Sequence, residues 1–185
     1  ALVLKIQEAL KTGDDKRFIS STPFKSPNNK ILLKGADIFR YSFIGEHFID
    51  YEASLLKRPG KQKVFELPQK LYIRRIANQI IVALDDKQRY AVHTLYTGVL
   101  IDNKFNYKYL LGLLNSKLFS YLYEVMFPFK GSVFPEIRIG NLGKLPVKIT
   151  DSQKTITALV NKMIELNEKI KGIDENSDQW HKIKD

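Results

Sequence analysis

The residues of this chain that could do chemistry do not assemble into a familiar set. Lys11-Thr12-Gly13 and Ser54-Leu55-Leu56-Lys57 match, as patterns, the Lys-Thr-Gly strand and Ser-x-x-Lys nucleophile of penicillin-recognising serine enzymes. Their order is reversed and no Ser-Asp-Asn lies between them, so both are chance matches. A phosphate loop requires Gly-x-x-x-x-Gly-Lys-Ser/Thr, which brings backbone N–H groups onto a phosphate, and that spacing does not occur. His47, His93 and His181 share no spacing that suggests a metal or a triad. Asp14-Asp15-Lys16 and Asp50-Tyr51-Glu52 approximate the carboxylate groups that hold Mg²⁺ in nucleases, but solvated turns explain them better. The Asn/Asp-Pro-Pro-Tyr/Phe motif of amino-methyl transfer and a glycine loop for a methyl donor are missing. No complete active site is expected in this chain.

Binding is better supported. Thirty Lys and Arg against twenty Asp and Glu give a formal charge of +10, which suits a polyanionic partner. The excess is local: between Ser54 and Arg75, Lys57, Arg58, Lys61, Lys63, Lys70, Arg74 and Arg75 meet one acid, Glu66. Apolar and aromatic residues interleave with them, so basic side chains can project over a folded support. Phosphate contacts by Lys and Arg supply affinity, and polar side chains at base edges supply sequence choice. The bland alternative is the wet face of a sheet. Along Lys70-Leu71-Tyr72-Ile73-Arg74, period two puts Lys70, Tyr72 and Arg74 on one face and Leu71, Ile73 and Arg75 on the other, which favours Arg74 over Arg75. Lys57, Arg58, Lys61 and Lys63 are the expected phosphate grips. Arg40, Arg74, His93 and Lys130 are the candidates for closer contact, His93 being structural or superficial rather than catalytic.

The elements that must position these groups follow from periodicity and punctuation. A length of 185 residues with 44% hydrophobic content suits one domain with an appendage. The absence of cysteine excludes disulfides, thiolate catalysis and cysteine-based zinc sites, and favours a cytoplasmic setting. Residues 2–10 read as an amphipathic helix without the features of a signal peptide, ended by Thr12-Gly13-Asp14-Asp15. With no initiator Met and a helix already under way, a preceding catalytic part is expected. A strand starts at Phe18, an exposed loop covers 20–30, and 39–51 reads as a hairpin turning at Gly45-Glu46. Runs 70–77, 79–85 and 89–101 read as an antiparallel meander, the last two joined by a turn at 85–88. Residues 107–127 have helical length, but Asn115, Ser116, Lys117 and Glu124 interrupt any membrane-spanning run, so a buried helix is expected. An irregular, Gly- and Pro-rich segment follows. Thr150-Asp151-Ser152-Gln153 has the form of a capping box opening a helix to about Lys171, with Ile156, Leu159, Met163, Leu166 and Ile170 as a coiled-coil seam. Trp180 is a possible anchor in the polar tail. The fold class is α+β, a mostly antiparallel sheet packed around the 107–127 helix, with a C-terminal coiled-coil-like spacer helix. Its parts are an entrance helix and turn (1–16), a body (17–150), the spacer helix (151–172) and a polar tail (173–185).

Several stretches resemble one family in order. "ALKTGDDKRFI" looks like the Gly-Leu-x-Thr-Gly-Asp-Asn-x-x-Phe entrance to the specificity region of large adenine-N6 DNA methyltransferases and fused restriction–modification enzymes. "LLKGADIFRYSF" is similar to their Lys-Gly-x-Asp-Ile-x-Arg-Tyr segment, and "LPQKLYIRRIANQIIVALDDKQRYAVHTLY" to a Pro-Lys-Ile-like motif leading an Arg-bearing strand. "YLLGLLNSKLFSYLY" matches a Leu-Leu-x-x-Leu-Asn-Ser-Lys-Leu helix, and "IGNLGKLPVKI" a closing Leu-Pro-hydrophobic segment. Ala9 stands where the family has Gly, and Gln69 separates Pro68 from Lys70. In order and spacing these resemble the TaqI-like C-terminal specificity domain, or target recognition domain, over about residues 9–150.

The resemblance implies a module that reads a short double-stranded DNA site and positions one adenine for an upstream methyltransferase domain of the same polypeptide. It implies S-adenosylmethionine, and Mg²⁺ where a nuclease is fused, for those other domains and no cofactor for this chain. By motif position it marks Arg40, Tyr41, Lys70, Arg74 and Arg75 as DNA contacts. No membrane association is expected. The alternative is a protein-interaction domain that docks a partner subunit through the C-terminal heptad helix. Asn115 and Ser116 are expected to bond neighbouring backbone groups rather than DNA.

Overall fold

The computed structural model describes residues 2–129, 133–171 and 173. In chain order the elements are β1 (Leu4–Glu8), α1 (Asp15–Phe18), β2 (Ile19–Ser20), β3 (Asn29–Leu33), β4 (Ile38–Phe39), β5 (Ser42–Phe43), β6 (His47–Asp50), α2 (Gln62–Phe65), β7 (Lys70–Arg74), β8 (Val82–Asp85), β9 (Tyr90–Ala91) and β10 (Leu95–Leu100). The helices α3 (Tyr107–Asn115), α4 (Lys117–Met126), α5 (Ile139–Leu142) and α6 (Gln153–Ile170) complete it. The class is α+β. One sheet, β1-β10-β7-β8, is antiparallel throughout; a second, β2-β6-β3-β9, has one parallel pair, β3 with β9.

Strand β7 joins the two halves of the core. Side chains alternate across a strand, so Leu71 and Ile73 enter a cluster with Val82 of β8, Leu110 and Leu114 of α3, Phe119 and Tyr123 of α4 and Val160 of α6. Tyr72 points the other way, into a cluster with Leu32, Leu33, Ile49 and Tyr90. The first sheet is thus buried on both faces, by helices on one side and by the second sheet on the other.

The chain's start is a strand, not a helix: β1 pairs with β10 from Leu4↔Leu100 to Glu8↔Tyr96. Leu2 and Leu4 satisfy a strand's alternation as well as a helical face, and a partner nearly a hundred residues away decides between them. The three central runs are not a simple meander either. Strand β10 skips β8 and pairs with β7, because the chain between β8 and β10 first crosses to the second sheet as β9. The hairpin in 39–51 turns at Arg40-Tyr41, not at Gly45-Glu46; Tyr41 takes a φ of 67° and β6 leaves for the second sheet. Gly45 is needed for another reason: a Cβ there would lie 2.8 Å from the Asp37 carboxylate.

The expected 107–127 helix breaks at Ser116, whose ψ of 150° is extended. Its hydroxyl donates to the Leu113 carbonyl and accepts from Phe119 N–H, so one side chain ends α3 and caps α4. Asn115 acts as a surrogate strand: Oδ1 accepts from Val82 N–H and Nδ2 donates to Val82 O, both at 2.9 Å. This covers the free edge of β8. Helix α6 begins at Ser152 without a side-chain cap, and Gln153 donates instead to the Lys104 carbonyl. Of the expected seam Ile156 packs on the core, and it does so with Val160 and Ile164 rather than with Leu159 and Met163; a Cβ on Gly112 of α3 would come within 2.8 Å of Ile156 and Val160. Leu159 and Met163 remain 59% and 41% exposed. Trp180 lies outside the described residues. Among the described residues no helix is long and apolar enough to cross a membrane.

Candidate nucleic-acid interface

The basic loop after β6 is zipped to the segment that follows β1. Lys11 N–H donates to Arg58 O at 2.7 Å, Arg58 N–H to Lys11 O at 2.9 Å, and Lys57 N–H to Thr12 O at 3.0 Å. On the other side, Leu10 N–H donates to Ala91 O. Gly13, at φ 90°, lets the chain turn with Lys57 Cβ packed 3.1 Å from where a side chain would stand. Thr12 bonds the Asp15 carboxylate, and Asp14 accepts from Arg17 N–H as the cap of α1. The Lys-Thr-Gly-Asp-Asp stretch is therefore a folded turn and its acids are occupied by it. Exposed Lys11, Lys57, Lys61 and Lys63, with partly exposed Arg58, lie along this zipper and the adjoining α2. Glu8 accepts from Arg58 and stands 3.8 Å from Arg75.

Beside it lies a hollow of about 310 Å³ lined by Asp15, Lys34, Arg74, Val92, His93 and Thr94. The β3–β9 pairing brings Lys34 here, with Val92 N–H bonded to Leu33 O and Gly35 N–H to the Thr94 hydroxyl at 2.8 Å. Arg74 arrives from the end of β7. Burial holds the His93 imidazole below its usual pKa, reinforced by Lys11, Arg75 and Arg58 and opposed by Asp15. Lys34 and Arg74 face this hollow with one acid, Asp15, so its lining carries a net positive charge.

Lys70 is not at this surface. It is fully buried, its ammonium donating at 2.6 Å to both the Phe65 carbonyl and Asp85 Oδ2, so it cannot reach a ligand. Burial lowers its pKa and Asp85 opposes that shift. Asp85 also receives Arg89 at 3.0 Å, whose Nε donates to Glu46 at 2.8 Å. Arg75 turns away from Arg74 and donates to Glu136 at 2.7 Å. Tyr41 is half-buried, packed on the helix-side cluster, and burial raises its phenol pKa. Arg40 stands apart, at a second hollow shared with Gln79 and Lys117. The structure thus sets Lys57 and Arg58 on the zipper beside the Arg74–His93 hollow, leaves Lys61 and Lys63 exposed at α2, keeps Arg40 separate and removes Lys70. Lys130 and His181 lie outside the described residues.

Sequence reasoning missed Lys34, which the quoted Lys-Gly-x-Asp segment contained but only the parallel β3–β9 pairing delivers to the hollow. It also missed Gln79, whose position at a turn gave no signal. Among the described residues no group of three or more His, Asp or Glu is placed to hold a metal ion.

Residues 30–147 match the TaqI-like C-terminal specificity domain. Over 137 residues the chain is 32% identical to a protein named as a type II restriction enzyme and methyltransferase in Methanocaldococcus jannaschii, covering 68% of this chain and 11% of that protein. The fold resembles that of the type IIL restriction-modification enzyme MmeI, solved in complex with DNA, with a TM-score of 0.61 at 9% identity over 94% of this chain and 29% of that one. The chain therefore spans a minor part of each relative's length. With the family matched over more than half of its residues, this chain belongs to the TaqI-like C-terminal specificity domains.

Proposed function

We propose that this chain is the sequence-specific duplex-DNA recognition module of a restriction-modification enzyme, and that it positions a target adenine for an upstream S-adenosylmethionine-dependent methyltransferase domain. The observation that carries the reading is the zipper that sets Lys11, Lys57 and Arg58 beside the Arg74–His93 hollow. Lysines on the zipper and α2 neutralise phosphates and fix register. Arg74, on a strand rigidly packed through Tyr72 and Ile73, has the fixed base from which a guanidinium can read a base edge. A base flipped from the duplex would then be handled by the upstream domain, which supplies the methyl donor. Restriction-modification context comes from the relatives, one named as a restriction enzyme and methyltransferase and the other as a restriction-modification enzyme.

The test is duplex binding by anisotropy at two salt concentrations. About four phosphate contacts predict roughly a hundredfold loss of affinity between about 50 and 200 mM salt. No binding at the lower salt would overturn the reading.

A second reading is favoured by one observation, the exposure of Leu159 and Met163 along α6. In it the outward stripe of this helix docks a partner subunit. Capture of that subunit that survives neutralising the 57–63 charges but fails with Leu159→Asp and Leu166→Asp would support it.

A further inference from the structure

A second hollow lies across the β7–β8 connection from the first. Ile76 lines the first, while Asn78 and Gln79 line the second with Arg40, Lys117, Tyr121 and Glu124. Its polarity is mixed. A phosphate grip is cationic throughout, whereas a guanidinium, an ammonium, two amides and a carboxylate around one cleft complement a surface of alternating donors and acceptors. Base edges in the major groove are such a surface.

Three features show that this cleft is built rather than incidental. Arg40 sits in the two-residue β4–β5 turn, where Tyr41 holds a φ of 67° and donates its N–H to Val82 O. A bulky residue in the left-handed region costs free energy, and surrounding structure must impose it. Arg40 Nε is buried and has no hydrogen-bond partner. That leaves the Nη side of the guanidinium as its working edge, and Nη2 donates to Gln79 Oε1 at 2.8 Å across 39 residues of sequence. Arginine only donates, so this bond fixes which way the Gln79 amide faces: Oε1 toward Arg40, the NH₂ group away from it. Gln79 and Asn78 are exposed.

We infer that this cleft is a second base-reading site, in which Gln79, oriented by Arg40, donates to a keto oxygen on a base edge. The inference rests on the reading that the chain binds duplex DNA. Guanine O6 and thymine O4 accept such a bond; adenine and cytosine present amino groups at the equivalent position and oppose it. Gln79 determines specificity, and Arg40 is a positioning residue.

The experiment is enrichment of bound duplexes from a randomised pool by the 185-residue chain, comparing wild type, Gln79→Glu and Gln79→Ala. A glutamate keeps an oxygen for Arg40 but turns the outward group from donor to acceptor. One position of the enriched site is expected to change from guanine or thymine in the wild type to cytosine or adenine in Gln79→Glu, by roughly tenfold. In Gln79→Ala the preference at that position falls away while the other positions persist. The substituted residue is exposed, and unchanged thermal midpoints verify the fold. Enrichment of one unaltered site by all three proteins would overturn the inference and leave DNA recognition standing. Failure of the wild type to enrich any site would overturn both.

Discussion

Lys70 and Asp85 form an ion pair sealed from solvent: Nζ lies 2.6 Å from Oδ2 and both side chains are 0% exposed. A buried charge is tolerated only when it is paired and its remaining bonding capacity is used. Phe65 O takes a second Lys70 proton, and Arg89 and its own N–H engage Asp85. The pair ties β7 to β8 and to the turn at Gln88, the second non-glycine residue with positive φ.

Lys70→Met should therefore act on stability and not on DNA binding. Losing one partner of a buried pair costs about 3–5 kcal/mol, at the lower end here because Arg89 still engages Asp85. Urea denaturation should show the lowered midpoint. The salt dependence of DNA affinity, measured where the variant is folded, should not move.

Asn115→Ala removes the side chain that pairs with both backbone groups of Val82. Val82 O keeps the Tyr41 N–H, so one buried group, Val82 N–H, is left without a partner, which predicts a loss of about 1–3 kcal/mol, again read by urea. Amide exchange should accelerate first at Val82.

Gly112→Ala places a methyl against Ile156 and Val160 of α6. Overpacking of this kind costs about 1–3 kcal/mol and outweighs the roughly 1 kcal/mol gain in helix propensity. The double variant Gly112→Ala/Val160→Ala should recover part of the loss in thermal unfolding.

His93 gives the domain a pH response. Its folded pKa lies below the ordinary value of 6.5, so as pH falls below 6.5 the unfolded chain takes a proton that the folded chain resists. This contribution to stability is intact above 6.5 and is lost as pH drops toward the folded pKa. In His93→Gln that part of the decline should disappear, as denaturation midpoints at a series of pH values will show.

Much of this architecture was legible where local pattern and burial agree. Leu71, Tyr72 and Ile73 alternate across the strand as their period implied, although the Tyr72 face is a second core and not a wet surface, and Asn115 and Ser116 serve the backbone rather than a ligand. Thr12 and Gly13 shape a turn. What stayed hidden depends on distant partners. Leu4 belongs to a strand only because β10 pairs with it, and Lys70 is a core residue only because Asp85 meets it. A charge count over 57–75 cannot distinguish that lysine from Lys61, which is exposed. The left-handed Tyr41 had no sequence signal, since the residues that favour this conformation are Gly, Asn and Asp. The heptad seam misled for a related reason: α6 carries two apolar stripes, and Gly112 selects the one through Ile156 and Val160.

A face that reads a sequence and one that merely attracts a polyanion differ in how their losses depend on the duplex. The direct measurement is the affinity of wild type, Lys61→Ala and Arg74→Ala for an enriched duplex and for a scrambled duplex at one salt concentration. If the basic face reads sequence, Lys61→Ala weakens both duplexes alike, while Arg74→Ala costs about 1–3 kcal/mol on the enriched duplex and little on the scrambled one. Equal losses on both duplexes for Arg74→Ala, or no difference between the duplexes for the wild type, would contradict that reading.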